Sequence, residues 1–164
     1  MARYTQTFSI NPLKKSQVRD LINYLEETYG CNLEELKSYY FYLTGRGKVY
    51  LSTLRVDDLE LDRVNGVGLY FGTFHDDERF RLSIEGSRLI NPKKNYAVLK
   101  DEFLKSYLAA ENLFEEELEK VSYEGGDFLI VQIGENNLGC VSKKEKEFLS
   151  YVPKSRKLDY DKVF

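Results

Sequence analysis

The residues with the most suggestive chemistry lie near the end of the chain, in "SKKEKEFLSYVPKSRKLDYDK". Lys143, Lys144, Lys146, Lys154, Arg156 and Lys157 stand there beside Phe148, Tyr151 and Tyr160. Cations attract phosphate and aromatic rings stack on unpaired bases, the pairing that single-stranded RNA binding uses. An ordinary charged surface over core aromatics gives the same pattern, so both readings stand. If the first holds, the cations gather into one positive ridge, Lys neutralises phosphate and Tyr151 stacks on a base.

Other chemistry is thin. The single histidine, His75, lies in "FHDDE", where carboxylates suit a base or a metal ligand, but no nucleophile or second imidazole accompanies it. It reads as a solvent-exposed turn residue. Cys31 and Cys140 form no CxxC pair and have no His-rich neighbour, which points to reduced, partly buried thiols and not to zinc or a disulfide. The acidic runs "DDLELD" and "EEELEK" lack the Asp/Asn/Gly spacing of a calcium loop and read as solvated faces. The glycines of "NGVGLYFG" are followed by strand-like sequence, not by the helix start that a phosphate loop needs. Gly66, Gly68 and Gly72 therefore suit a turn, a bulge or close packing. No catalytic constellation, cofactor or metal is expected.

The elements that must position these residues follow from patterning. The chain has 164 residues, 42% of them hydrophobic, enough for one good core or two small ones. No stretch approaches the ~20 apolar residues of a membrane helix. The first residues lack an apolar core followed by a cleavage site, so a cytoplasmic protein is expected. A net charge of -3 excludes a molecule coated in positive potential, though a local basic stripe remains compatible with it.

Leu13, Val18, Leu21, Ile22 and Leu25 recur on one helical face, and Gly30 supplies a stop. A short helical start at "LEELK" leads into a hairpin, "YYFYL" and "KVYLST" about the turn "TGRGK". "RVDDLELDRV" fits a short helix or an irregular crossing. "GVGLYFGTF" and "RFRLSIEGSRLI" read as strands about "HDDE", with Phe80, Leu82 and Ile84 alternating against Arg79, Arg81 and Ser83. The face bearing the arginines is solvated or meets a partner.

The polar "NPKKN", Asn91 to Asn95, marks a boundary, giving domains at residues 1–91 and 92–164. Beyond it "YAVLK" is a strand, and "DEFLKSYLAAENLFEEELEKV" has helical content with Phe103, Leu104, Tyr107 and Leu108 on its apolar side. Gly125 and Gly126 open an apolar strand that "GENN" turns back into "LGCVS", and the tail forms a last strand or arm. The organisation is α+β.

This order, with "VGLYFGTFHDDERFRLSIEGSRLINP" and "LGCVSKKEKE", resembles the archaeal and eukaryotic Nip-seven type of ribosome assembly factor. Its best-matching stretch runs from Gly68 to Pro92. The resemblance implies an N-terminal α/β pre-PUA domain followed by a small β-rich PUA pseudo-barrel, a unit that commonly binds structured RNA. Leu138, Gly139 and Ser142 match the family's late strand. "VPKSRKL" is similar to the extension of PUA units in Nop-Sun family rRNA cytosine methyltransferases, whose catalytic domain has no room here.

The chain departs from the pattern in the turn after the helix of its PUA half. Ala110, Glu115 and Glu117 stand where glycine, a basic residue and glycine are common, leaving Lys120 as the matching cation. Carboxylates at Glu115, Glu116 and Glu117 would repel a nearby phosphate by roughly 1 kcal/mol per close charge in high dielectric.

The function implied is a non-catalytic RNA-binding adaptor in ribosome biogenesis or rRNA processing. Its partners would be rRNA or a pre-ribosomal particle, with ribosome-assembly or RNA-modifying proteins. The alternative is a protein-interaction module whose acids bind a basic ribosomal or RNA-modifying partner without RNA contact.

Overall fold

The structure is a computed structural model describing residues 10–56, 66–76 and 78–159. The first sheet is antiparallel and follows chain order: β1 (Ile10–Pro12), β2 (Tyr40–Thr44), β3 (Lys48–Ser52), β4 (Leu69–Phe74) and β5 (Phe80–Leu82). One helix, α1 (Lys15–Tyr29), packs on it through Leu21, Ile22, Leu25 and Tyr29, the residues its spacing puts on one face. At its start the Lys14 amide donates to Gln17 Oε1 at 2.9 Å. At its end Gly30 takes φ 65° and its amide donates to the Glu26 carbonyl, the left-handed stop that glycine allows. Phe41, Val49, Leu51, Phe71, Phe80 and Leu82 are the sheet's share of this core.

The hairpin about "TGRGK" is β2 and β3, as its turn residues predict. "RVDDLELDRV" lies outside the described residues from position 57 onward. β5 corrects the expectation of a longer strand. It ends at Leu82, and the backbone turns into a short helix, α2 (Ile84–Ser87), because Ser83 Oγ accepts from the Gly86 amide at 2.8 Å as an N-cap. Gly86 lies so close to β4 that a Cβ there would meet the Phe71 carbonyl oxygen at 1.9 Å.

The second sheet holds β6 (Tyr96–Leu99), β7 (Leu113–Phe114), β8 (Leu118–Ser122), β9 (Leu129–Ile133), β10 (Asn136–Lys144) and β11 (Glu147–Ser150). Their spatial order is β7-β11-β10-β9-β6-β8, antiparallel except for the parallel pair β6 and β9. The sheet curls into a half-barrel. Ala97, Leu99, Leu129, Val131, Val141 and Phe148 fill its interior, closed at one side by Tyr107 of α3 (Leu104–Leu108). Helix in this segment stops at Leu108. "LEKVS", rich in helix formers, is β8, because pairing with β6 overrides local propensity.

Alternation along this sheet explains how the two sheets join. Tyr96, Ile130 and Cys140, one residue out of step with the half-barrel interior, pack into the core beneath α1. Two buried asparagines fasten the join. Asn137 Nδ2 donates to the carbonyls of Ser87 and Ile90, both at 2.6 Å, while its Oδ1 accepts from Gln132. Asn95 Nδ2 donates to Thr28 O, and its Oδ1 accepts from the amides of Glu124 and Gly126.

Candidate functional site

β10 and β11 form a hairpin that carries Lys143 and Lys144 on its first strand and Lys146 in its turn. Lys143 Nζ donates to the Glu145 carbonyl at 2.9 Å and lies 5.4 Å from the ring centroid of exposed Tyr123. Beyond β11 the chain passes Tyr151, buries Val152 in the half-barrel, and turns at Pro153 into one 3₁₀ turn, Lys154–Arg156. Lys154 and Arg156 on it, and Lys157 just past its end, are all exposed.

The hairpin cations and the 3₁₀-turn cations therefore sit at opposite ends of β11. That strand spans roughly 10 Å at strand rise, so the cations form two groups and not one ridge. Lys120 is apart from both, on β8 at the far edge of the sheet, with Nζ 5.3 Å from the Tyr96 ring centroid. Arg156 pairs with Glu85; among the described residues no other of these cations makes an ion pair.

Tyr151 is half-buried, and its ring is already in use. The Arg81 guanidinium carbon lies 4.2 Å from the ring centroid, Phe128 meets the ring edge-on at 5.7 Å, and the hydroxyl bonds to Ser142 Oγ at 3.1 Å. The alternation of β5 explains the arginine: Phe80 and Leu82 enter the first core, so Arg81 projects from the opposite face. Across the sheet Arg81 registers with Thr73, and Thr73 with Lys48. Lys48 Nζ is 5.4 Å from the Tyr70 ring centroid, and the Tyr70 and Thr73 hydroxyls are hydrogen-bonded. Lys48, Tyr70 and Arg81 did not enter the sequence-based site.

The segment after α3 keeps its turn without glycine. Ala110 takes φ 63°, in the left-handed region, and Glu115–Glu117 forms an exposed 3₁₀ turn in which Glu117 accepts from the Phe114 amide. His75 is exposed, with its ring 5.9 Å from Phe128. Both cysteines are free thiols. Burial pushes the Cys140 thiol up to about 12, against the lowering effect of a long contact shared with the Tyr29 hydroxyl, and burial also raises Cys31. Such thiols stay protonated near neutral pH and are poor nucleophiles. Among the described residues no group of His, Cys, Asp and Glu is arranged to hold a metal ion, and no helix is long and apolar enough to cross a membrane.

The chain is an α+β protein whose second sheet is a curled half-barrel, and this architecture matches that of a PUA domain protein. A solved structure described as a conserved PUA domain protein from Thermoplasma acidophilum superposes with TM-score 0.60 at 10% identity, over 87% of this chain and 93% of that one. At this identity the likeness shows the fold. Neither a protein-family model nor a curated protein sequence matches the chain.

Proposed function

We propose that this chain is a non-catalytic RNA-binding adaptor, of the Nip-seven type, acting in ribosome biogenesis or rRNA processing in the cytoplasm. Residues 1–91 form its pre-PUA-like, protein-facing domain, and residues 92–164 form the PUA-like domain that meets RNA. The observation that carries the reading is the 3₁₀ turn after β11. There Lys154, Arg156 and Lys157 stand exposed on a PUA-type half-barrel. Phosphate attraction is local, so this cluster can act although the whole molecule is acidic. The hairpin cations Lys143, Lys144 and Lys146 extend the contact along the backbone, and Lys120 adds a separate phosphate contact.

Ultraviolet crosslinking in cells, followed by sequencing of the bound RNA, tests the reading. Enrichment of rRNA precursors supports it, and protein recovered without crosslinked RNA refutes it.

A second reading is favoured by the acidic turn Glu115–Glu117, which stands beside Phe114, 43% exposed. Acids flanking an exposed ring suit a basic protein partner. Partners that survive nuclease treatment of a pull-down support this reading; partners released with the RNA refute it.

A further inference from the structure

Where the two sheets meet, a cleft of about 230 Å³ opens on the face of the first sheet away from α1. Lys48, Tyr70 and Arg81 come from the first sheet, Tyr151 and Arg156 from the chain after β11, and Glu85 from α2. Three cations thus face one carboxylate, and that carboxylate pairs with Arg156. Among the described residues no acid pairs with Arg81 or Lys48.

Arg81 is half-buried and held by its ring contact with Tyr151. A guanidinium resting on a ring keeps its in-plane N–H donors free, and that fork matches the oxygens of a phosphate. The volume lies below the range of about 300–1,000 Å³ typical of pockets for drug-sized ligands, so a fragment the size of a ribose phosphate suits it.

We propose that this cleft is a binding site for the phosphate group of a single nucleotide, gripped by Arg81 and Arg156 with Lys48 at its mouth. Glu85 holds Arg156 at the cleft by their ion pair and gives it up to the incoming phosphate. The site is composite: the half-barrel supplies Tyr151 and Arg156, the first sheet supplies Arg81 and Lys48, and neither sheet alone completes it. The inference deepens the RNA-binding reading and rests on it for the source of the nucleotide. A nucleotide within an RNA strand and a free nucleotide present the same phosphate, so the test uses both.

The full chain, Arg81→Gln and Glu85→Gln are titrated with uridine 5′-monophosphate, followed by amide NMR shifts at Gly139 and Tyr151, and with a short single-stranded oligouridine, followed by anisotropy. Losing one charge-assisted contact predicts that Arg81→Gln weakens oligouridine binding by about tenfold or more. Removing the competing carboxylate predicts that Glu85→Gln strengthens it several-fold. Both substitutions are on half-buried residues, so thermal midpoints are recorded. Should Arg81→Gln unfold the chain, Glu85→Gln decides alone: strengthening supports the site and an unchanged affinity overturns it.

If oligouridine binds the wild type and both folded variants equally, the cleft proposal falls while the RNA-binding reading stands. If oligouridine does not bind but the mononucleotide shifts Gly139 and Tyr151, and Arg81→Gln abolishes that shift, the cleft stands with a free nucleotide as its ligand and the RNA reading falls. If neither probe binds, both fall.

Discussion

Replacing Lys154, Arg156 and Lys157 together by glutamine tests the 3₁₀ turn as an RNA contact. All three side chains are exposed, and among the described residues the one ion pair lost is Arg156 with Glu85. An exposed pair contributes about 0–1 kcal/mol, so the fold and thermal midpoint should be nearly unchanged. The binding effect is larger. Each phosphate neutralised on a single strand contributes about 0.7 to the slope of log affinity against log salt, so three contacts contribute about 2. Between about 50 and 200 mM salt, the tail's share of the affinity loss is then about 20-fold. Anisotropy titrations with a labelled single-stranded RNA over that range read the slope directly. A slope reduced by about 2 in a folded variant is expected. An equal slope for the triple variant and the wild type would remove the turn from the interface.

Asn137→Ala strips two buried carbonyls of their donor and Gln132 of its acceptor, and should cost about 2–4 kcal/mol in urea denaturation; a loss below about 1 kcal/mol would mean the join does not depend on this network. Ala110→Gly relieves a left-handed alanine and should stabilise the fold by about 0.5–1 kcal/mol, read as a raised thermal midpoint, whereas destabilisation would contradict the strain. The raised Cys140 thiol gives a pH dependence. Its unfolded value is near 9.0 and its folded value about 12, so between these the unfolded chain binds fewer protons and stability falls as pH rises. The fall should approach about 1.4 kcal/mol per pH unit from this group. Burial also raises Cys31 and several tyrosines, so Cys140→Ala should make the decline above pH 9.0 shallower without abolishing it, and an identical profile would assign the decline to those groups.

The α+β class was legible because its main signals are local. The face of α1 and its glycine stop, the "TGRGK" hairpin, and the paired strands β9 and β10 each depend on residues a few positions apart. Two elements were hidden by physics that acts at a distance or against pattern. The alternation Phe80, Leu82, Ile84 runs past the true end of β5, and four residues of helix carry too little periodicity to show where it stops. β8 is written in helix formers, and only its pairing with β6, some twenty positions earlier, makes it a strand. The tail cations were visible as a run, but their division across β11 depends on register. Arg81 was visible only as a residue on the uncommitted face of a strand. What sets it against Tyr151, seventy positions later, is the packing of one sheet on the other.

The central claim is that nucleic acid meets the chain at the turn beyond β11. Crosslinking the purified protein to single-stranded RNA by ultraviolet light, then mapping nucleotide-bearing peptides by mass spectrometry, reads the contact without any substitution. Adducts on the peptide spanning Tyr151 to Lys157, diminished as salt rises, are the predicted result. Adducts absent there, or confined to the opposite surface of α1, would contradict it.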